Sequence, residues 1–589
     1  MEELTASLNS DALNPLQINI NNNTEYAWNT QYMQEKITQF FFQIVRAKDK
    51  DNDELEKKFQ EILHELFRDG INHDIHKQLV YRMIAHTRDV VAGKGEYELA
   101  YMMIYNWAKY NMGSAVKLIT HFVSKDKKLK TPYGSWKDVK YFSSYCRKRN
   151  ENHSYKLYKY LIGIMNIQLI QDMTLYEQSD QHNISLSLCA KWVPRENKAH
   201  GWMYEPMALD YYERIANKKP NTESGINYAK MYYRKMLSKL NKHLDTVQIK
   251  MCNNNWQYIN FDNTTSITLN KNQYAFSYKE KSGAQQSSDI QDRLQCAENF
   301  SKWCNNSSKQ EINGKHVSMY DFVKTAYQLE ANHDENLVDL LNKQWESNKI
   351  QNNNCNNKNY MIPIIDNSLS MYSENKATLY TAIGLGIRIA EQSKLNKRCI
   401  VASHKPKWIN LEDDEGFYNS VMHIKQEQQS SLNMNISATM EMILHHIKNV
   451  NMTSDEVEQL TIIILSNMQF SHSHSHSHSH SHSHSHGQQD PCQDPIDKTI
   501  NDKFADAGKE ICGIPYKPPR IVFWNLEKTN GFPTKSFQPG FSMISGYSPQ
   551  LINSIVGKSN NITTGNEDHT PYNVMKGILN GPRYKWLQA

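Results

Sequence analysis

Long apolar runs are missing from this chain: none reaches the roughly 18 residues that a membrane-spanning helix needs, so no membrane partner is expected. The amino terminus, Met-Glu-Glu-Leu-Thr-Ala-Ser, has neither a basic n-region nor an apolar h-region, and a secretory signal is not expected. Nine cysteines run from Cys146 to Cys512 without one Cys-x-x-Cys pair. That spacing argues against a zinc module and a disulfide framework, and points to reduced thiols in an intracellular, cytoplasmic protein. Also missing are a nucleotide-binding Gly loop, a zinc-protease motif, a Ser-His-Asp order in a suitable frame and a Cys-centred nucleophile signature. Asp413, Asp414 and Glu415 form an acidic cluster, but adjacent carboxylates on a loop read as solvated charge. Neither an enzyme nor a small-molecule substrate is expected.

What is present is a polar chain able to fold. Its 589 residues exceed one comfortable core, so two or more domains are expected. Hydrophobic residues make up 39% and aromatics 11%, enough for globular packing, although the mean hydropathy of −0.72 is low. A net charge of +5 is explained as well by a solvated surface as by a nucleic-acid partner.

From Glu25 to about Asn241 the pattern is helical. Tyr97, Tyr101, Ile104 and Ala108 share one face, and Ala115, Leu118, Ile119 and Phe122 make the next stripe. Antiparallel helix pairs stacked into a curved solenoid fit this layout, although no clean repeat is visible. The segments around Trp136 and Trp192 read as helix junctions, each Trp packed inside and neighbouring Lys and Asp paired at the surface. Trp256 to Phe261 reads as a short strand or docking segment, Tyr274 to Phe276 as a loop end, and the Asn-rich run 349–359 as a linker.

Beyond the linker the period changes. Ile362-Pro-Ile-Ile-Asp366-Asn-Ser368-Leu-Ser370 is an apolar run that stops at oxygen-bearing side chains, and a helical stripe (Leu379, Ala382, Ile383, Gly386, Ile387, Ala390) follows. Strands are expected at Arg398–Ser403, Lys407–Leu411 (an edge), Leu460–Leu465, Ile521–Leu526 and Phe541–Gly546. Helices are expected at Ile436–Val450 and Pro549–Val556. Alternating strands and helices argue for a doubly wound sheet, whose ligand loops lie at the carboxyl ends of the strands.

Asp366-x-Ser368-x-Ser370 resembles the metal-ion-dependent adhesion site of von Willebrand factor A (vWA) domains. The resemblance implies hard oxygen ligands for Mg²⁺ from three loops. Two positions depart from it: Met434 stands where a Thr is expected, and Asn467 where an Asp is expected. A thioether is a soft donor and one negative charge is lost, so the expected site is weak or vacant toward Mg²⁺. Eight Ser-His pairs follow, His472 to His486, able to take up Zn²⁺ or Ni²⁺ adventitiously but most simply read as an expanded low-complexity loop. Gly487 to Asp506 reads as its continuation.

Arg88-Asp-x-x-x-Gly-Lys-Gly-Glu96, Tyr133-Gly-x-Trp-Lys-Asp138, Leu186-x-x-x-Ala-Lys-Trp-x-Pro194 and Tyr233-Arg-Lys-x-Leu-x-x-Leu240 resemble, in that order, an uncharacterised eukaryotic and giant-virus family of domains of unknown function. The resemblance implies a fold of class α + α/β: an N-terminal all-α helical-repeat-like region, then a doubly wound, vWA-like (Rossmann-type) domain. The layout is similar to that of the Ro/TROVE RNA-binding proteins. Boundaries are expected at 1–24 (disordered lead-in), 25–348 (helical domain), 349–359 (linker) and 360–589 (vWA-like domain with a Ser-His insertion at 471–486). The resulting expectation is a non-enzymatic scaffold or adaptor for a protein partner, in the host cytoplasm or a virion. The alternative is an RNA binder using Lys127, Lys128, Lys130, Trp136, Arg147, Arg149, Arg234 and Lys235, where basic side chains lie near aromatics.

Overall fold

The computed structural model describes residues 15–19, 21, 23–46, 49–68, 73–125, 127–149, 151–178, 184–280, 283–284, 286, 290–306, 314, 316–331, 334–348, 359–427, 431–471, 494–556 and 569–589. The Ser-His tract His472–His486 and nearly all of the Asn-rich linker lie outside them.

The chain forms two compact units, Met1–Val80 with Glu311–Lys585, and Tyr81–Gln310 with Trp586–Ala589. This division corrects the expected boundaries, because residues 25–80 and 311–348 belong with the sheet and not with the helical domain. The physical reason is packing. The helix Met33–Gln43 buries Phe40, Phe41 and Phe42. Its last carbonyls, which have no partner inside the helix, accept from the sheet: Ser545 Oγ donates to Phe41 O at 3.0 Å, and Asn525 Nδ2 to Phe42 O at 3.3 Å. The helices Met319–Glu330 and Glu335–Ser347 pack on Ser373–Gln392 and Gly416–Gln426, where the Trp345 and Phe417 rings stack at 3.8 Å.

Two short strands, β1 (Leu16–Ile18) and β2 (Thr24–Tyr26), pair antiparallel where a disordered lead-in was expected. The main sheet holds β3 (Tyr360–Asp366), β4 (Arg398–Ala402), β5 (Lys407–Asn410), β7 (Leu460–Ser466), β9 (Arg520–Asn525) and β10 (Phe541–Ser545). The pairs β6 (Met434–Asn435) and β8 (Phe470–Ser471) lie apart from it. Its order is β10-β9-β7-β3-β4-β5, all parallel except the β4–β5 edge pair. In chain order these six strands run 3-2-1-4-5-6, a doubly wound sheet whose switch point lies between β3 and β7.

Strand β7, Leu-Thr-Ile-Ile-Ile-Leu-Ser, is buried at every position, as a parallel strand covered on both faces requires. Ile362, Ile364, Ile462 and Ile464 pack with Met440, Ile443, Ile500 and Phe504 on one face. On the other, Gly386 of the helix Ser373–Gln392 lies against Ile365 and Leu465. The four helical residues at 496, 500, 504 and 507 are buried at helical spacing in Ile496–Cys512. That helix corrects the expectation that the insertion continues to Asp506: polar composition hid a one-sided stripe.

In the other unit, consecutive helices pack as neighbours: Tyr97–Tyr110 with Met112–Val123, Lys137–Arg149 with Asn152–Gln178, and Tyr204–Ala216 with Glu223–Leu244. Trp256–Tyr258 is a 3-10 turn, not a strand, and Tyr274–Phe276 closes the helix Ser266–Phe276 instead of a loop. The rings of Phe261, Phe276, Phe300 and Trp303 gather there, so local aromatic packing decides the backbone.

Candidate functional site

At the carboxyl ends of β3 and β7 the apolar runs end in Asp366 and Ser466, both fully buried. Asp366 is held by its own loop and by the neighbouring strand. Oδ1 accepts from Ser368 N at 3.0 Å and Ser368 Oγ at 2.6 Å; Oδ2 accepts from Ser466 Oγ at 2.6 Å. Burial pushes the Asp366 carboxyl up to about 6, against the opposing pull of those three donors. Ser370 Oγ lies 3.0 Å from Ser368 Oγ and makes a long 3.5 Å contact with Asn467 Oδ1.

Asn467 is fixed from both sides. Its Oδ1 also accepts from Gln469 N at 3.1 Å, while Nδ2 donates to Glu527 Oε2 at 3.3 Å, just past the end of β9. The loop at Met434 reaches the same edge through its backbone. Leu369 N donates to Ser431 O at 2.9 Å, Ser370 N to Leu432 O at 3.0 Å, and Asn435 N to Ser403 O at 2.7 Å. The segments bearing Asp366, Ser368, Ser370, Asn467 and Met434 therefore converge at one sheet edge.

The Met434 side chain itself packs in the apolar cluster with Ile436, Met440 and Phe470, adding no ligand atom to the rim. Thr439 offers no replacement, because its hydroxyl donates to Asn435 O at 2.7 Å within the helix. The donor set is one buried carboxylate already accepting three hydrogen bonds, two hydroxyls and an amide oxygen, with Glu527 behind the amide. Mg²⁺ dehydrates reluctantly and is usually held through carboxylates, so these residues fit an adhesion-type Mg²⁺ centre poorly.

Sequence reasoning missed three parts of this rim. Ser466 was signalled by a hydroxyl residue ending a buried strand, and Glu527 by a carboxylate directly after Ile521–Leu526. The third part is a pair of exposed leucines, Leu369 and Leu432, at 46% and 66% exposure on the two segments joined by backbone hydrogen bonds.

The basic candidates lie in the helical unit. Lys127, Lys128, Lys130, Arg147, Arg149 and Lys235 are exposed. Arg234 is exposed but engages Glu196 at 2.7 Å. Trp136 is 8% exposed and cannot present a ring face to a base, which removes it from the candidate set. Asp138 is not a surface partner of Lys137, as expected from the sequence, but is buried: Arg88 Nε and Nη2 donate to its two oxygens at 2.6 and 2.7 Å, and Tyr101 OH donates at 2.5 Å. A Cβ on Gly134 would fall 2.4 Å from Asp138 Oδ2, so this glycine is demanded by the ion pair. The Arg88–Asp89 and Tyr133–Asp138 motifs thus meet as one structural lock. Trp192, by contrast, is only half-buried.

A six-stranded doubly wound sheet with an oxygen-lined rim at its switch point, and a separate helical unit, define the class of this protein. Residues 360–577 match the model of a family described as Domain of unknown function (DUF7788), and residues 121–287 that of Domain of unknown function (DUF2828). An uncharacterised protein of Acanthamoeba polyphaga mimivirus is 25% identical over 497 residues, covering 82% of this chain and 77% of that protein. These similarities support an uncharacterised, giant-virus-associated family. Among the described residues no helix is long and apolar enough to cross a membrane.

Proposed function

We propose that the sheet-bearing unit is a vWA-like domain with a degraded metal site, and that the protein is a non-enzymatic scaffold binding a protein partner at the Asp366 rim. The observation that carries this reading is the juxtaposition of Leu369 and Leu432, two exposed apolar side chains on hydrogen-bonded segments beside a buried polar cluster. Exposed apolar anchors rimmed by polar groups are what a protein interface offers. The fully engaged Asp366 carboxylate offers no free base or nucleophile.

Photo-crosslinking from position 432 in the full chain, followed by mass spectrometry with and without RNase, tests it. A specific protein captured in both conditions and lost when Leu369→Ser is added is expected. An unchanged capture profile in that variant sinks the proposal.

The second reading is an RNA-binding protein of Ro/TROVE-like layout whose helical, repeat-like region carries the contacts. It is favoured by a face of the helix Lys137–Arg149 where cations lie over aromatic rings. Either activity belongs to the cytoplasm of a host cell or to a virion.

A further inference from the structure

The helix Lys137–Arg149 buries Asp138, Val139, Phe142, Ser143 and Cys146, and turns Lys137, Lys140, Tyr141, Ser144 and Arg147 the other way. Each of those five positions has another three or four residues away, so they form one stripe. His200 packs on its centre, with its ring 5.4 Å from that of Tyr141 and its Nδ1 2.8 Å from Ser144 Oγ, and aromatic rings from elsewhere in the unit flank it. Lys137 Nζ sits 5.5 Å from the Tyr97 ring and 5.1 Å from that of Tyr141. Lys140 Nζ lies 4.9 Å from Tyr141 and 5.1 Å from Trp192, which Lys191 approaches at 5.9 Å. Farther along, the Arg147 guanidinium covers Trp202 at 4.4 Å.

Four cations (Lys137, Lys140, Lys191 and Arg147) and four rings (Tyr97, Tyr141, Trp192 and Trp202) thus gather on one surface. Among the described residues, Lys137, Lys140, Lys191 and Arg147 make no ion pair with a carboxylate, because the nearest one in sequence, Asp138, is turned inward to Arg88. Burial first, and then the charge of Lys137, lowers the Lys140 ammonium, while the charge of Asp138 partly offsets burial at Lys137. A solvated charge run would instead point its lysines into water, away from rings.

We infer that this stripe is a binding surface for single-stranded RNA, with Lys137, Lys140, Lys191 and Arg147 taking backbone phosphates and Trp192 and Trp202 stacking unpaired bases. The inference rests on the RNA-binding reading and gives it a location different from the exposed lysines at 127–130. Exchange is favourable at each position: a flexible lysine that swings from a ring to a phosphate gains a charge-assisted hydrogen bond and frees the ring face for a base. An acidic peptide would satisfy the cations but leave the rings without planar partners.

The test is fluorescence anisotropy of a labelled oligouridylate titrated with the full chain between 50 and 200 mM salt. Affinity is expected to fall with salt at a logarithmic slope of about −0.7 per phosphate neutralised, hence about −3 for four contacts. Lys140→Glu with Lys191→Glu is expected to weaken binding at least tenfold and flatten the slope by about 1.4, while Lys127→Glu with Lys128→Glu leaves both nearly unchanged. Trp192→Ala tests stacking, and the comparison with a duplex keeps that test decisive if the substitution unfolds the chain. Wild-type binding that the Lys140/Lys191 variant retains would overturn this location while leaving the RNA reading in place. No wild-type binding at 50 mM salt overturns both. Equal affinity for a duplex of the same length overturns the stacking assignment.

Discussion

Ser466 Oγ donates to Asp366 Oδ2 at 2.6 Å, joining two neighbouring parallel strands whose residues are 100 positions apart in the chain. With Ser368 on the other oxygen, this contact holds the Asp366 carboxylate inside the protein and commits it to structure.

That commitment sets a pH dependence. The Asp366 carboxyl moves from 3.8 up to about 6, so between those values the folded chain holds a proton that the unfolded chain has lost. Raising pH through that window therefore lowers stability, by on the order of 3 kcal/mol from this group, and the effect levels off above pH 6. Glu35 and Asp497 are shifted in the same direction by burial, so the wild type alone does not isolate it. The difference between wild type and Asp366→Asn does. Denaturant midpoints from pH 4 to 8 are expected to show the variant gaining on the wild type as pH rises; a constant difference would refute the assignment.

Calorimetry of the wild type with Mg²⁺ is expected to show weak or no binding, given one carboxylate, an amide at Asn467 and a thioether packed in the core at Met434. Asn467→Asp adds a second carboxylate at the rim, and is expected to bind Mg²⁺ measurably with a stoichiometry near one. Tight wild-type binding abolished by Asp366→Ala would reverse this account.

In the helical unit, Asp138→Ala strands the buried Arg88 guanidinium and is expected to cost about 3–5 kcal/mol. Gly134→Ala, which forces a methyl group into the same pair, is expected to cost about 1–3 kcal/mol. Thermal melts of both variants check the order. A neutral Gly134→Ala would show that the Arg88–Asp138 geometry is slack.

Gly386→Ala places a methyl group 2.5 Å from Ile365 Cδ1 and Cγ1, beneath the strand that ends in Asp366. A loss of about 1–3 kcal/mol is expected, with partial relief from Ile365→Val in the double variant, because the smaller side chain returns the space. A purely additive loss would place the strain elsewhere.

Much of the sheet was legible because fully buried parallel strands write themselves as apolar runs. Leu460–Leu465 and Ile436–Val450 lie where that pattern placed them. The Ile496–Cys512 helix was not legible, since only one face of it is apolar and the surrounding composition is polar. The carboxyl-terminal helix Pro571–Leu579 also escaped, although it buries Tyr572, Val574, Met575 and Ile578. At the rim, Asp366 and Asn467 were legible as strand-end polar residues, and Ser466 and Glu527 carried the same signal unread, whereas the pairing of Leu369 with Leu432 left no sequence signal.

Read alone, the chain determined which segments alternate between strand and helix and which oxygen donors stand at strand ends, because both depend on local period and residue type. Only tertiary structure decided that the segments at 25–80 and 311–348 belong to the sheet-bearing unit, that Met434 faces the core, and that Asp138 answers Arg88. Those outcomes depend on which distant surfaces exclude water together, and burial between distant segments leaves no fixed spacing in a sequence.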